Sequence, residues 1–161
     1  MKTTTALTAR VKYREKILAL EKRMSGERYV LVADEIGQLT HSFADGMYIR
    51  ELFVPKGFFV ITKIHKLSHP CFVLRGECSV LTEEGASRRK APYYMITPSG
   101  TKRVVYVHED TVWVTVHRTM KTDLGMIEDE VIAKTFEDID GDKLGSKDVA
   151  FMEDMRKSEA V

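Results

Sequence analysis

GFFVITKIHKLSHPCFVLRG, residues 57–76, places two histidines inside an apolar run rich in β-branched and aromatic side chains, with glycine at each end. Residues of that kind suit a pleated, half-buried surface, so 58–63 and 71–74 are expected to be strands. Successive strand side chains alternate between faces. Lys63 and His65 therefore project to one side, and so do His69, Cys71 and Val73, with Ser68 and Pro70 supplying the turn between the two groups. Basic and titratable groups are thus gathered on a segment that otherwise reads as core.

The same texture continues outward. Short apolar or alternating runs at 47–54, 78–82, 93–96, 103–107 and 111–117 are separated by Asp45-Gly46, Pro55-Lys56-Gly57, Gly76, Glu84-Gly85, Pro98-Ser99-Gly100 and Glu109-Asp110. Seven short strands with turn chemistry between them predict a mainly β, antiparallel sandwich or barrel over residues 41–118. Residues 1–40 read as an N-terminal helix and connector: Val11, Tyr13, Ile17, Leu20 and Met24 form an apolar stripe over 9–24, Gly26 stops it, 28–32 suits a short strand and 34–38 a turn. Glu15 and Glu21 among the bases of the polar face suit packing on the domain or a partner subunit better than a membrane surface. Residues 119–161 return to helical spacing. Thr122 is the expected cap of a helix whose Met126, Ile127, Val131 and Phe136 face inward, and a last helix is expected from Ser146 through Val149, Met152 and Met155.

With 161 residues, 43% of them hydrophobic, the chain can bury one core. Its net charge of +1 conceals an asymmetry: residues 1–122 hold 20 Lys+Arg against 12 Asp+Glu, whereas 123–161 hold 5 against 12. The basic surplus is spread out, without a dense cationic run or interleaved aromatics, which argues against a dedicated nucleic-acid surface. No stretch of eighteen apolar residues suits a membrane span and no signal-peptide core follows the N-terminus, so a cytoplasmic protein is expected. Cys71 and Cys78 read as buried, reduced thiols. Asp138, Asp140 and Asp142 alternate as in a calcium loop but lack its glycine and closing glutamate. Nucleotide-binding glycine loops and the nucleophile elbow are absent from the sequence.

The glycine-bounded segment resembles the first motif of the cupins, small β-barrels of the jelly-roll type. That motif reads G-x5-H-x-H-x3-E-x6-G, and Gly57, Lys63, His65, His69 and Gly76 stand at its spacings. The second motif, G-x5-P-x-G-x2-H-x3-N, is met by Pro98 and Gly100, with Arg103 at the histidine position and Pro92 and Val107 at the outer ones. The resemblance implies one jelly-roll barrel, here with an N-terminal helix and C-terminal helices outside it. Barrels of this kind leave edge strands that a second copy often covers, so a homodimer is expected. The family's divalent metal would fall to Lys63, His65, His69 and Arg103. A protonated lysine and a permanently charged arginine are poor ligands, so that four-ligand set is broken. The run 41–57, HSFADGMYIRELFVPKG, with KIHK, PSGTKR and VWVTVH further on, also resembles small cupin-like proteins of tailed bacteriophages and prophages, which adds association with a virion to the expected locations.

Three functions stay open. The first is a metal-free binding pocket for a polar or anionic small molecule, lined by Lys63, His65, His69, Arg103, Trp113 and His117. The second is a metal-dependent enzyme, an oxygenase or isomerase, in which His65, His69 and His117 hold Fe, Mn, Ni or Zn. The third is a phage structural or accessory protein with a vestigial pocket. Basic pocket ranks before metal site, and the metal reading requires Trp113, Thr115 and His117, rather than Val112, Val114 and Val116, to face the cavity. Of the pair Arg50 and Glu51, one is expected to point to solvent. His41 is expected at the surface, with closure over the pocket mouth as the alternative, His108 in a solvated turn, and Tyr93 and Tyr94 in packing contacts.

Overall fold

The computed structural model describes residues 2–28, 30–32 and 38–140. The helix expected from Ser146, Asp142 of the acidic turn and residues 34–37 of the connector lie outside the described residues. In chain order the elements are α1 (Lys2–Met24), β1 (Val30–Val32), β2 (Leu39–Ala44), β3 (Met47–Val54), β4 (Phe59–Ile61), β5 (Ile64–His65), β6 (His69–Thr82), β7 (Gly85–Lys90), β8 (Tyr93–Thr97), β9 (Val104–Arg118), α2 (Leu124–Val131), β10 (Ile132–Ala133) and α3 (Glu137–Asp140).

Two long strands organise the sheet. β6 and β9 run antiparallel from Cys71↔Thr115 to Leu81↔Val104. The first half of β6 carries β8 on its other edge, with His69 opposite Thr97, and its second half carries β7. β9 likewise pairs β3 through its C-terminal half and β4 through its N-terminal half. β2 extends the sheet beyond β3, and β1 lies parallel to β4. The result is a mainly β, eight-stranded sheet curled on itself in the jelly-roll manner, with the short β5–β10 pair beside it.

Each long strand replaces two expected short ones. The register of β6 against β9 shifts between Val73 and Cys78, so the strand bends without losing its partner, as bulges allow. Gly76 sits in that bend at φ +84°, where a Cβ would stand 2.3 Å from the carbonyl oxygen of Asp110. Neither a side chain nor an ordinary φ fits there. His108 is correspondingly inside β9 rather than in a turn, its Nε2 2.7 Å from Ser79 Oγ. β2 and β7 are additional edge strands whose side chains are mostly exposed, so neither carries the buried apolar alternation that marks a strand in sequence.

The interior of the curl is filled by Leu52, Val54, Val60, Val73, Val80 and Val105, with Cys78 and Val107 among them. Both cysteines are free and buried. Outside the sheet, Ile17 of α1 packs with Val30, Ile61, Ile64, Val104, Ile139 of α3 and Phe136 just before that helix. Burying each such side chain stabilises by about 1.5–3 kcal/mol. The cap of α2 is Asp123, whose Oδ1 accepts the Met126 N–H at 2.9 Å, one residue after the expected Thr122. Ile127 and Val131 face inward as expected, but Met126 is 54% exposed because α2 starts with its apolar stripe turned past that position. No helix among the described residues is long and apolar enough to cross a membrane.

Candidate metal and small-molecule site

Backbone hydrogen bonds bring the two sequence motifs together. The Gly100 N–H donates to the His65 carbonyl at 2.8 Å, and Ser99 Oγ donates to the Lys66 carbonyl at 2.6 Å. The Pro98-Ser99-Gly100 turn is thereby fastened to the histidine strand. It delivers Arg103 beside Thr62, whose N–H donates to the Arg103 carbonyl and whose Oγ1 accepts from the Arg103 N–H. His69 opens β6, and His117 lies near the end of β9 opposite Tyr48. Trp113, Thr115 and His117 line the cavity while their valine neighbours do not, so the polar row of β9 is the inner one.

Three imidazoles converge as a result. Ring centroids are 4.2 Å apart for His65 and His69, 4.5 Å for His69 and His117, and 5.0 Å for His65 and His117. One nitrogen from each lies within 4.8 Å of the others. His69 and His117 are 3% and 5% exposed. His69 Nδ1 is 3.2 Å from the Leu67 carbonyl, to which only a protonated nitrogen can donate, and Nε2 then keeps its lone pair for the cavity. His65 Nδ1 is buried without a hydrogen-bond partner.

Burial holds all three rings neutral. It pushes His69 down to about 4, aided by Arg103 and opposed by the Leu67 carbonyl. His117 is lowered to about 4 by burial, then by His69 and Arg50. His65 lies well below its ordinary value for the same reason, with His69 and His117 adding to the effect. Neutral imidazole is the form that ligates a metal.

These rings form part of the wall of a cavity of about 290 Å3 that is lined by all six residues selected from the sequence, Lys63, His65, His69, Arg103, Trp113 and His117. Their roles differ. Lys63 Nζ is 2.5 Å from Glu128 Oε1 of α2, so its charge is met by a carboxylate at the cavity edge. Arg103 is 5% exposed, with Nη2 donating to Thr97 Oγ1 at 2.6 Å and its guanidinium 5.6 Å from the centre of the Trp113 ring. The rest of the wall is largely apolar, including Leu52, Val54, Val105 and Val107, with Ile127 and Val131 of α2 covering one side.

Of the other residues, the Arg50–Glu51 pair and Tyr93 fall as expected, while His41 and Tyr94 do not. His41 is no isolated surface group: it lines the cavity, with Nδ1 2.7 Å from the Tyr48 hydroxyl. Arg50 faces the cavity, and Glu51 is the exposed member of that pair. Tyr93 packs on the core, whereas Tyr94 is 69% exposed on the outer face beside Phe72. Tyr48 was overlooked, although it shares the inward face of β3 with Arg50, Leu52 and Val54 at a spacing of two, and the alternation rule alone could have found it. Glu128 carried no such signal, because its partner Lys63 is 65 residues away in the chain.

No protein-family profile and no curated protein sequence matches the chain. Among solved structures it is similar to a cupin 2 conserved barrel domain protein from Rhodopseudomonas palustris, at 18% identity over 53% of this chain and 62% of that one, with a TM-score of 0.46. A cupin-2 domain containing protein from Shewanella frigidimarina is similar at 11% identity over 50% and 79% of the two chains, with a TM-score of 0.43. A cupin domain from Bordetella pertussis is similar at 17% identity over 51% and 92%, with a TM-score of 0.41. Likeness at this level says nothing of activity. What the cavity can do follows from its own residues.

Proposed function

We propose that this protein holds a divalent transition metal through His65, His69 and His117 and binds a small molecule at the open face of that ion. One observation carries the reading: three neutral imidazoles from three separate strands converge in a largely apolar cavity, one with an unpartnered buried nitrogen. Packing three desolvated rings against one another is costly unless something accepts their lone pairs. The donor set suits Zn, Fe, Ni or Mn. The three ligand nitrogens, within 4.8 Å of one another, would be the ones to hold the ion.

The order of the two leading readings is thereby reversed. A basic pocket counted on Lys63 and Arg103 as two available cations, and the Lys63–Glu128 pair weakens the first of them. His65, His69 and His117 would hold the ion through one nitrogen each, and the chemistry it would supply is Lewis acidity towards a molecule bound beside them. The chain's own part is to enclose that molecule: Leu52, Val105, Val107 and Trp113 exclude water, and α2 closes one side.

Metal analysis of protein purified without an affinity tag tests the proposal. Close to one equivalent of a transition metal is expected in the wild type and a small fraction of that in His65→Ala and His117→Ala. A wild-type protein that carries no metal and takes up none on titration with Zn2+, Fe2+, Ni2+ or Mn2+ overturns it.

A further inference from the structure

Arg103 presents a separate problem of charge. Its guanidinium has five N–H donors, and its side-chain hydrogen-bond partners are Thr97 Oγ1 at 2.6 Å and the Met95 sulfur at 3.5 Å, the latter a weak acceptor. Trp113 offers its ring face. Among the described residues no carboxylate forms an ion pair with it. A cation 5% exposed and without a counter-anion has lost its hydration without a compensating charge. It lines the cavity, where an anion can reach it.

Shape and surroundings narrow that anion. A guanidinium edge matches a planar, two-oxygen acceptor. The cavity wall includes Leu52, Val60, Val105, Val107 and the Trp113 ring, an apolar surface that suits a guest with an apolar body. A volume of about 290 Å3 limits the guest to a small molecule. We infer that the cavity takes a small carboxylate with an apolar body, its head on Arg103 and its body against Trp113 and the neighbouring aliphatic wall. This names the ligand class of the metal site proposed above and so rests on that reading for the chemistry, though the Arg103 contact itself needs no metal.

Trp113 is the only tryptophan, so its fluorescence reports on the site directly. The full chain, chelator-stripped and Zn2+-loaded in parallel, would be titrated with benzoate and with benzamide, its neutral counterpart. Expected are a saturable change in Trp113 emission with benzoate in both forms and binding of benzamide roughly 10–100-fold weaker, the factor that a charge-assisted hydrogen bond confers. Arg103→Gln should lose benzoate by a similar factor, and Lys63→Met by less than about threefold, because Glu128 already pairs with that lysine. Equal affinity for benzoate and benzamide in the wild type overturns the inference even where Arg103→Gln fails to fold. Benzoate binding that needs Zn2+ overturns it too, since the carboxylate would then be a ligand of the metal. Binding in the stripped protein, with no metal taken up by the triad, upholds the Arg103 contact while removing the metal proposal.

Discussion

Each of the three histidines gives up a proton that it would hold at mildly acidic pH in the unfolded chain. His69 and His117 titrate near 4 when folded, against 6.5 unfolded. Between those values the unfolded state binds more protons, so stability rises with pH. For His69 and His117 the contribution is complete above about pH 6.5 and is lost as pH falls towards about 4, at on the order of 3 kcal/mol each. Urea unfolding of the metal-free protein should therefore show a markedly lower midpoint at pH 5 than at pH 7, and His117→Gln should flatten that dependence. A midpoint that is constant across this range would contradict the burial argument. His65 and His69 were legible from their spacing within one segment. His117 was only a conditional third member, because its inward direction depends on the register of β9 against β3.

In β6 a fourteen-residue strand bends through a right place for glycine. The bend lets one strand serve both halves of the curled sheet, which puts His69 at one end of a strand whose other end pairs with β7. Gly76→Ala meets both a positive φ and a backbone atom at 2.3 Å, so it should destabilise by at least about 2 kcal/mol in urea unfolding. Gly57→Ala has a similar φ of +88° but open space, and should cost only about 1–2 kcal/mol, the penalty of the left-handed conformation alone. Equal losses in the two variants would mean that the Asp110 approach relaxes freely. From sequence, Gly76 and Glu109-Asp110 read as turns. Turn residues also occupy bulges, and only the pairing partner tells the two apart.

The cavity is assembled from β3, β6, β9, the β4–β5 segment and α2, which lie far apart along the chain. Because an unfolded chain cannot present that arrangement, a metal bound there stabilises the whole protein by mass action. At a free metal concentration one hundred times the dissociation constant the gain is about 2.7 kcal/mol, or roughly 5–11 °C in Tm for a domain of this size. Calorimetry should show that rise with the retained metal, its reversal by chelator, and its absence in His65→Ala. A Tm indifferent to metal in the wild type would place any bound ion at a site outside the folded cavity.

The local pattern of residues was enough to establish a mainly β domain, an N-terminal helix with Ile17 on its buried face, and two histidines on one strongly structured segment, since alternation and turn chemistry act over neighbouring residues. Which edges were strands, which turns were bends, and which charges met a partner depended on contacts across the chain. Lys63 lost its place as a free cation to Glu128, and Arg103 remained buried with only neutral partners, for a reason no neighbouring residue records: electrostatics acts through space, and the fold decides who stands within reach.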